Sequence, residues 1–284
     1  LLARWLDCPF TVTLRGTETR HARTPGLSSR LRQALDRADR VFSVSASLIE
    51  IAAGIGVDRA KLQVVGNGVD TGKFYPIDKA SARRELSVPD DANVLISVGG
   101  LTERKGFHRV IEQLPALRRE FPGLLFLIVG GASAEGDWGP RLKAQVAELG
   151  LADCVRFLGT LPPEALKQPL SAADVFVLAT RNEGWANVFL EAMACRLPVV
   201  ATDVGGNREV VCRDDLGEIV PFDDGPALQD ALSRALARDW DRERILAYAK
   251  DNEWDGRVAT LVAAFRALFA DRNARGTQGD IGVG

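Results

Sequence analysis

The stretch VLISVGGLTERKGFHRVIEQL, residues 94–114, runs from an apolar segment through a glycine-rich loop into a pattern with helical spacing. An unbroken run of Val, Leu and Ile as short as residues 94–98 is typical of a strand that is buried on both faces. The same order recurs along the chain. Strands are predicted at 124–129, 155–158, 175–178, 199–201 and 218–220, and helices at 107–120, 139–149, 163–170, 187–195, 226–237 and 241–250. Buried strands that alternate with amphipathic helices predict an α/β fold with a parallel sheet covered on both faces.

A shorter series of strands and helices precedes this region. Strands are predicted at 10–14, 41–44 and 61–65, and helices at 27–38 and 45–53. The polar stretch around Pro76 and Pro89 is interpreted as a linker. We therefore divide the chain into an N-terminal α/β part at 1–75, a linker at 76–92 and a Rossmann-like domain at 93–250. The sequence begins Leu1-Leu2-Ala3 and its sole methionine is Met193, so we expect further residues to precede it in the intact protein.

The composition excludes several classes of protein. A hydrophobic share of 46% supports a substantial core, and a formal net charge of −2 gives no general attraction to nucleic acid. The chain has two histidines, and its four cysteines show no C-x-x-C spacing, so no metal site is expected. We expect reduced thiols, no transmembrane helix and no secretion signal, which together predict a cytoplasmic protein.

Glycines cluster where the predicted strands end, at Gly99-Gly100, Gly130-Gly131, Gly159 and Gly205-Gly206. In an open parallel sheet, ligands bind beyond the carboxyl ends of the strands, and glycine lets the backbone come close to a phosphate. Arg104 and Lys105 would supply positive charge at the first loop, and the helix that follows would add its N-terminal end. This combination predicts a nucleotide or phosphate ligand. The alternative is a solvated loop with two surface cations.

The segment NEGWANVFLEAMA, residues 182–194, places two glutamates eight residues apart. Glu183 lies in a strand-to-helix loop, and Asn187 is the predicted N-cap of the helix. Glu191 lies about one turn into that helix among apolar residues, where a charge needs a partner or a ligand. A diphosphate at the helix start would meet backbone amides and a favourable dipole, and Glu191 would accept both ribose hydroxyls.

These segments, together with LPVVATDVGG at 197–206, resemble the donor-binding domain of family 4 retaining glycosyltransferases, which have the GT-B fold. Residues 99–106 resemble that family's G-x-L-x-x-x-K-G segment. Residues 183–191 match its E-x7-E motif, and residues 197–206 match its P-V-V-A-T-x-x-G-G run. Residues 38–41 and 65–70 are similar to the end of the family's first domain. The resemblance covers roughly residues 10–265.

The resemblance implies transfer of a sugar with retention at the anomeric carbon, without a metal or a cofactor. The donor would be a UDP- or GDP-sugar and the acceptor a saccharide or a lipid-linked molecule. The implied catalytic residues are Arg104 and Lys105, which would neutralise the leaving diphosphate, and Glu183, which would contact the donor sugar. Glu191 would hold the ribose. The other implied donor-binding residues are Gly99, Gly100, Trp185, Ala186, Asn187, Val188, Gly159 and Arg156, the last as a contact for the base.

The resemblance also implies an architecture of the GT-B type. A Rossmann-like parallel-sheet C-terminal donor domain would be joined to a partial N-terminal α/β acceptor domain. A C-terminal helix at 251–270 would cross back to the N-terminal domain, and residues 271–284 would form a flexible tail. Two positions depart from the family pattern. Gly100 stands where many members have arginine, a role that Arg104 would take over, and Arg15 stands where many have histidine.

Two alternative functions stay open at this point. A binding module would take up the nucleotide sugar without transfer, because the acceptor domain is incomplete. A nucleotide-sugar 2-epimerase-like enzyme would share the fold but would need more acid–base residues than two histidines provide.

Membrane contact is a separate hypothesis, because arginines cluster in the N-terminal part of the chain. They are Arg20, Arg23, Arg30, Arg32, Arg37 and Arg40. These residues either form a solvated helix face or make peripheral contact with anionic lipid at the inner face of the cell membrane.

Overall fold

The computed structural model describes residues 8–278, with the side chains of residues 8–272. The chain forms two compact units. The first contains the described residues up to Gly68 and from Trp254 onward, and the second contains Val69 to Glu253. The segment predicted as a flexible tail, 271–284, is instead helical as far as Gln278, because the C-terminal helix continues beyond its predicted end. Residues 279–284 lie outside the described residues.

The predicted strands and helices occur in the predicted order, together with two helices that were not predicted, at Glu18–Arg23 and Lys79–Glu85. The strands are β1 (Thr11–Leu14), β2 (Arg40–Ser43), β3 (Leu62–Val64), β4 (Asn93–Val98), β5 (Leu124–Val129), β6 (Val155–Gly159), β7 (Val175–Leu178), β8 (Val199–Thr202) and β9 (Gly217–Val220). The α-helices are α1 (Glu18–Arg23), α2 (Leu27–Asp36), α3 (Ala46–Gly54), α4 (Lys79–Glu85), α5 (Phe107–Glu120), α6 (Gly139–Glu148), α7 (Lys167–Ala172), α8 (Asn187–Ala194), α9 (Asn207–Val210), α10 (Gly225–Ala237), α11 (Arg242–Asp251) and α12 (Trp254–Gln278). Short 3-10 helices cover Arg59–Lys61, Glu103–Lys105 and Pro163–Ala165.

The first unit is built on a small parallel sheet with strand order β1-β2-β3. The central strand β2 is buried at Val41 and Phe42, and α3 buries Leu48. Helix α12, from the C-terminal end of the chain, belongs to the same unit. The ring of its Phe265 meets the ring of Phe42 edge-on, with centroids 5.6 Å apart.

The second unit contains a six-stranded parallel sheet with strand order β6-β5-β4-β7-β8-β9. From β4 the chain moves outward to β5 and β6, and it then returns to the other side of β4 to form β7. The strand order therefore reverses between β4 and β7. Loops that leave these two strands turn to opposite faces of the sheet, which opens a crevice at its carboxyl edge.

Apolar burial explains why β4 and β5 lie inside the sheet of the second unit and not at its edges. Every residue of β5 is buried, and β4 is buried from Val94 to Ser97. Helix α5 covers them with a stripe that includes Ile111 and Leu114. Full burial of one such side chain stabilises the fold by roughly 1.5–3 kcal/mol. The predicted α/β fold with a parallel sheet is present in both units.

The segment predicted as a linker, 76–92, differs from that prediction. It contains α4, and the segment belongs to the second unit. Asp78 caps α4 by accepting a hydrogen bond from the Ser81 amide at 2.9 Å. The guanidinium of Arg83 is buried and donates to Asp174 at 2.9 Å. Because a buried cation needs a counter-charge, this ion pair fixes α4 against the sheet.

A close backbone contact at Gly106 yields a prediction about stability. Gly106 has a φ of 75°, and a Cβ added there would lie 1.8 Å from the carbonyl oxygen of Ala179, the residue after β7. Gly150 has a similar φ of 66° but open space around it. Gly150→Ala should cost about 1 kcal/mol of unfolding free energy, from the left-handed backbone alone. Gly106→Ala should cost roughly 3 kcal/mol or more, because two backbones must also separate.

Urea unfolding of both variants measures this difference. Equal losses in the two variants would show that the contact between Gly106 and Ala179 contributes nothing beyond the backbone conformation.

Candidate functional site

Two loops meet where the strand order reverses. The loop after β4 carries Gly99 to Lys105, and the loop after β7 carries Thr180 to Glu183. The Arg181 amide and the Thr180 hydroxyl both donate to the Arg104 carbonyl oxygen, at 2.8 Å and 3.0 Å. The glycine-rich segment and the start of the two-glutamate segment are therefore hydrogen-bonded to each other.

The Glu183 carboxylate lies beside both cations of the first loop. Its Oε1 accepts from Lys105 Nζ at 2.6 Å and from Arg104 Nη1 at 3.2 Å, and the oxygen of the Thr180 hydroxyl lies 3.3 Å away. The Glu183 side chain is 10% exposed and that of Lys105 is 18% exposed. Charge-assisted bonds in such partly desolvated surroundings are stronger than a surface ion pair. Arg104, Lys105 and Glu183, the predicted catalytic residues, thus form one cluster, which we call the cation cluster.

Arg104 is held from its other side by Glu135, in the loop after β5. Its Nε and Nη2 each donate to a Glu135 carboxylate oxygen at 2.8 Å. These bonds lower the pKa of Glu135 and raise that of Arg104. Paired bonds of this kind fix the plane of a guanidinium. Arg104 Nη1 also donates to the Asn182 carbonyl oxygen at 2.9 Å, so carboxylates and a carbonyl hold the whole group.

Helix α8 begins a few residues after Glu183. Its N-cap is Ala186, which makes no side-chain capping hydrogen bond. Asn187, predicted as the N-cap, is instead the first helical residue, because the extended backbone ends one residue earlier, at Ala186. A helix start without a side-chain cap suits an anion. Val188 lies half-buried in the first turn, and the half-buried Trp185 has an indole Nε1 without a hydrogen-bond partner.

Glu191 lies further along α8, among the buried residues Leu190, Ala192 and Met193. Burial raises the pKa of its carboxyl to about 7, and the positive charge of Lys105 opposes this rise. The same charge therefore acts on both glutamates of the two-glutamate segment. A buried carboxylate of this kind is stabilised by a ligand that donates hydrogen bonds to it.

Glycines at the strand ends let neighbouring loops touch. The Gly130 amide donates to the Gly159 carbonyl oxygen at 2.8 Å, at the carboxyl ends of β5 and β6. A Cβ added to Gly205 would lie 1.7 Å from the Glu183 carbonyl oxygen. The loop after β8, which includes the end of segment 197–206, therefore packs directly on the backbone that carries Glu183. This segment thus lies beside segments 99–106 and 183–191.

Gly99 and Gly100, the two adjacent glycines after β4, have different surroundings. The side chain of Lys105 passes over Gly99, with its Cδ and Cε 3.7 Å from an added Cβ. Gly100 faces Ser133 instead, and an added Cβ would lie 3.0 Å from the Ser133 Cβ. A larger side chain at Gly100 would press on the loop after β5, whose Glu135 binds Arg104.

Arg156 lies apart from the cation cluster. Its Nη1 donates to the carbonyl oxygens of Leu86 and Ser87, both at 2.9 Å, at the C-terminal end of α4. Carbonyl groups at a helix C-terminus lack intrahelical partners and attract cations. The structure therefore gives Arg156 a role in capping α4, and its contact with a base stays a prediction. Gly159, at the far end of the same strand, is exposed at the carboxyl edge.

Sequence reasoning missed Glu135 and Thr180. Glu135 lies in an irregular loop, where no periodicity marks a side chain, and only its position after a strand placed it at the carboxyl edge. Thr180 follows the apolar run of β7 by two residues and is fully buried. A hydroxyl at the end of a buried strand is a signal that could have identified it, because a buried hydroxyl needs a partner.

Two further observations concern the part of the chain that the structure describes. In that part, no three His, Cys, Asp or Glu side chains are placed to hold a metal ion together. No helix there has the length and apolar character that would be needed to cross a membrane. The positive charge of the candidate site comes from Arg104 and Lys105.

Comparison with known proteins shows what the chain is similar to. The family described as Glycosyl transferases group 1 matches residues 78–252, and the one described as Glycosyltransferase Family 4 matches residues 1–73. D-inositol 3-phosphate glycosyltransferase from Corynebacterium urealyticum is 32% identical, over 93% of this chain and 66% of that protein. The Geodermatophilus obscurus protein of the same name is 37% identical, over 85% and 55%. The chain thus spans between half and two thirds of the length of these relatives.

Solved structures share the fold. Sucrose-phosphate synthase from Thermosynechococcus elongatus superposes with a TM-score of 0.73 at 31% identity, covering 88% of this chain and 63% of that one. Anabaena HepE in complex with UDP has a TM-score of 0.83 at 21% identity, covering 93% and 74%, and shows the fold alone. With the parallel sheets described above, these likenesses define an α/β protein of the GT-B class. The chain belongs to the group 1 glycosyltransferases, which confirms both the predicted fold class and the resemblance to family 4.

The raised pKa of Glu191 predicts how stability depends on pH. The ordinary value of 4.5 applies to the unfolded chain, and about 7 applies to the folded one. The folded state therefore holds the proton more tightly, and the contribution of Glu191 to the unfolding free energy falls as pH rises between these two values. Glu191→Gln removes this titration. Its melting temperature relative to the unmodified protein should rise between about pH 5 and about pH 8.

Differential scanning calorimetry at several pH values provides the measurement. Glu148→Gln, at an exposed position on α6, controls for the loss of one carboxylate. A difference between Glu191→Gln and the unmodified protein that stays constant with pH would contradict the assignment.

Proposed function

We propose that this chain carries the donor site of a retaining, metal-independent glycosyltransferase. The donor is a UDP- or GDP-sugar, and the acceptor is a saccharide or a lipid-linked molecule. The observation that carries this proposal is the cation cluster at the strand-order reversal, beside the start of α8. Two cations and a helix N-terminus, all held by buried strands, suit the diphosphate of a nucleotide sugar.

Arg104 and Lys105 perform the chemistry that a metal ion performs in other transferases. When the bond between the anomeric carbon and the diphosphate oxygen breaks, negative charge develops on that oxygen. Fixed cations and the amides at the start of α8 stabilise this charge without having to reorganise. Because the side chains of Arg104 and Lys105 supply the positive charge, this step needs no separate cofactor.

Donor binding changes the partners of the cation cluster. The diphosphate takes up the bonds that Lys105 and Arg104 now make to Glu183 and Glu135. The released Glu183 carboxylate accepts hydrogen bonds from hydroxyl groups of the transferred sugar. Glu191, further along the same helix, accepts hydrogen bonds from the ribose hydroxyls, which offsets the burial of its charge.

The relatives support a transferase rather than a 2-epimerase. Both matching families are described as glycosyltransferases, and the relatives' names denote a glycosyltransferase and a sucrose-phosphate synthase. The names of both kinds of relative include a small molecule that carries several hydroxyl groups, which favours a saccharide-like acceptor for this chain. Donor binding is the step for which this chain can be tested directly.

Variants of the cation cluster test the donor site. Lys105→Gln should weaken binding of the matching UDP- or GDP-sugar about 10- to 100-fold, because one charge-assisted bond to phosphate is lost. Glu135→Gln should instead strengthen binding about two- to five-fold, because Arg104 no longer has to leave a charged partner. Isothermal titration calorimetry with UDP-glucose and GDP-mannose measures both changes.

Two controls match these variants. Lys73→Gln removes a lysine that is paired with Asp70, and Glu218→Gln removes a glutamate that is paired with Arg234. Neither control should change donor affinity. Unchanged affinity in Lys105→Gln, or binding of neither nucleotide sugar to the unmodified chain, would reject the proposed donor site.

We also propose that the arginine-rich surface of the first unit makes peripheral contact with anionic lipid. Arg20, Arg23, Arg30 and Arg37 are exposed. Arg32 shares its charge with Asp36 at 3.4 Å, so it contributes less. Co-sedimentation with vesicles should increase with phosphatidylserine content, decrease with salt and weaken in the double variant Arg23→Gln/Arg30→Gln. Binding that responds to neither lipid charge nor salt would reject the contact.

A further inference from the structure

A cavity lies within the second unit, at the amino edge of the six-stranded sheet. The cation cluster lies at the opposite, carboxyl edge. The volume of the cavity is about 320 Å³. Among its lining residues are Lys79, Arg196 and Arg242, with Ser171 and Cys195 beside them. Two other lining residues, Ala173 and Leu197, come shortly before β7 and β8, so the cavity lies at the amino ends of these strands. Known small-molecule sites begin at about this size.

Arg196 has an unfavourable backbone conformation. It follows the last residues of α8, with its amide bonded to Met193 and the next amide bonded to Ala192, at 2.9 Å and 3.0 Å. Its φ is 67°, the left-handed region in which glycine ends most such helices. An arginine here costs free energy that a glycine would not, which points to a role for its side chain. Nη2 pairs with the exposed Glu243 at 2.5 Å, whereas Nε is buried without a hydrogen-bond partner.

Arg242, unlike Arg196, lacks a counter-charge at close range. Its Nη1 donates to the Arg196 carbonyl oxygen at 2.9 Å, and Nη2 donates to the Asp174 carbonyl oxygen at 3.3 Å. Among the described residues it has no ion pair with a carboxylate. Burial lowers the pKa of Arg242, and the charges of Asp174 and Asp239 offset this only in part.

The carboxylates around the cavity are already engaged. Asp174 accepts from the Val94 amide at 2.7 Å and from Arg83 at 2.9 Å, and it pairs with Lys79 at 2.5 Å. Burial nevertheless lowers the pKa of Lys79. Asp78 caps the start of α4. Asp174 is shared between Lys79 and Arg83, and Glu243 pairs with Arg196. With Arg242 and Asp78 also in the lining, four cations at this place face three carboxylates.

The uncharged part of the lining completes the site. Pro76, Ile77 and Leu197 supply an apolar wall. Burial raises the pKa of the Cys195 thiol to about 12, so this group is neutral and takes no part in charge balance. A single phosphate would fill only part of the volume, and the apolar wall suits a small organic body attached to it.

We propose that this cavity binds the phosphate group of a small phosphomonoester, held by Arg196, Arg242 and Lys79. The site is separate from the donor site, which lies at the carboxyl edge of the same sheet. Three cationic side chains surround one concave space, and one of them is kept in a strained backbone conformation. Together they supply the N–H donors that the oxygens of a phosphate group accept from.

The conformation of Arg196 provides a variant that removes the cation without harming the fold. Arg196→Gly should leave the unliganded protein at least as stable as before, because glycine adopts a positive φ without strain. Thermal shift and calorimetry with glycerol 3-phosphate and with inorganic phosphate, at constant ionic strength, measure binding. Glycerol 3-phosphate should bind more tightly than inorganic phosphate, and Arg196→Gly should weaken it about ten-fold or more.

Two further variants distinguish binding in this cavity from binding at the donor site and from a general effect of surface charge. Arg234→Gln removes an exposed arginine on α10 and should leave binding unchanged. Lys105→Gln, in the cation cluster, should also leave it unchanged. The inference is overturned by a response that disappears in Lys105→Gln but persists in Arg196→Gly, since the phosphate would then occupy the donor site. It is equally overturned if neither compound binds, or if inorganic phosphate binds as tightly as the ester.

Discussion

The reversal of strand order between β4 and β7 is the constraint on which the second unit depends. Neighbouring strands on either side of this boundary are joined by helices that cover the sheet. At the boundary itself the connections diverge, and the carboxyl edge stays open. Close backbone contacts, of Gly106 with Ala179 and of Gly205 with Glu183, fix the loops that border the opening. The positions of Lys105 and its partners therefore derive from the buried strands and not from the loops alone.

This dependence determines how much the sequence could predict. Strands such as β5 consist of apolar residues throughout, so their existence and order follow from a simple pattern. The site roles of Arg104, Lys105 and Glu183 could be predicted because these residues lie in the loops that follow such strands. Helix α4 was missed because two prolines and a polar composition outweighed the capping signal at Asp78. Helix α1 was missed for a similar reason, since its sequence lacks an apolar stripe and none of its residues is buried.

Other features depend on contacts that no local pattern records. Arg156 follows a buried residue on an edge strand, and its partners exist only because α4 packs nearby. Glu135 belongs to an irregular loop, and its pairing with Arg104 is set by the distance between the ends of β4 and β5. In both cases the partner is far away in sequence. A sequence pattern predicts helices and strands. It predicts the hydrogen-bond partner of a side chain only when the known order of these helices and strands already places the two residues together.

The Glu183–Lys105 pair has a consequence for selectivity among anions. A carboxylate that is tethered 2.6 Å from an ammonium group acts as a local anion at very high effective concentration. On the proposed function, a diphosphate that binds there would exchange with this resident anion. Few counter-ions would then be released, and the salt dependence of affinity would be shallow. Chloride and other simple anions would compete poorly with this tethered carboxylate. Each would form one weak contact, whereas the exchange must break several hydrogen bonds of the Glu183 carboxylate. Only a ligand whose phosphates also reach the amides at the start of α8, and whose hydroxyl groups donate to Glu191, would recover the free energy that this exchange costs.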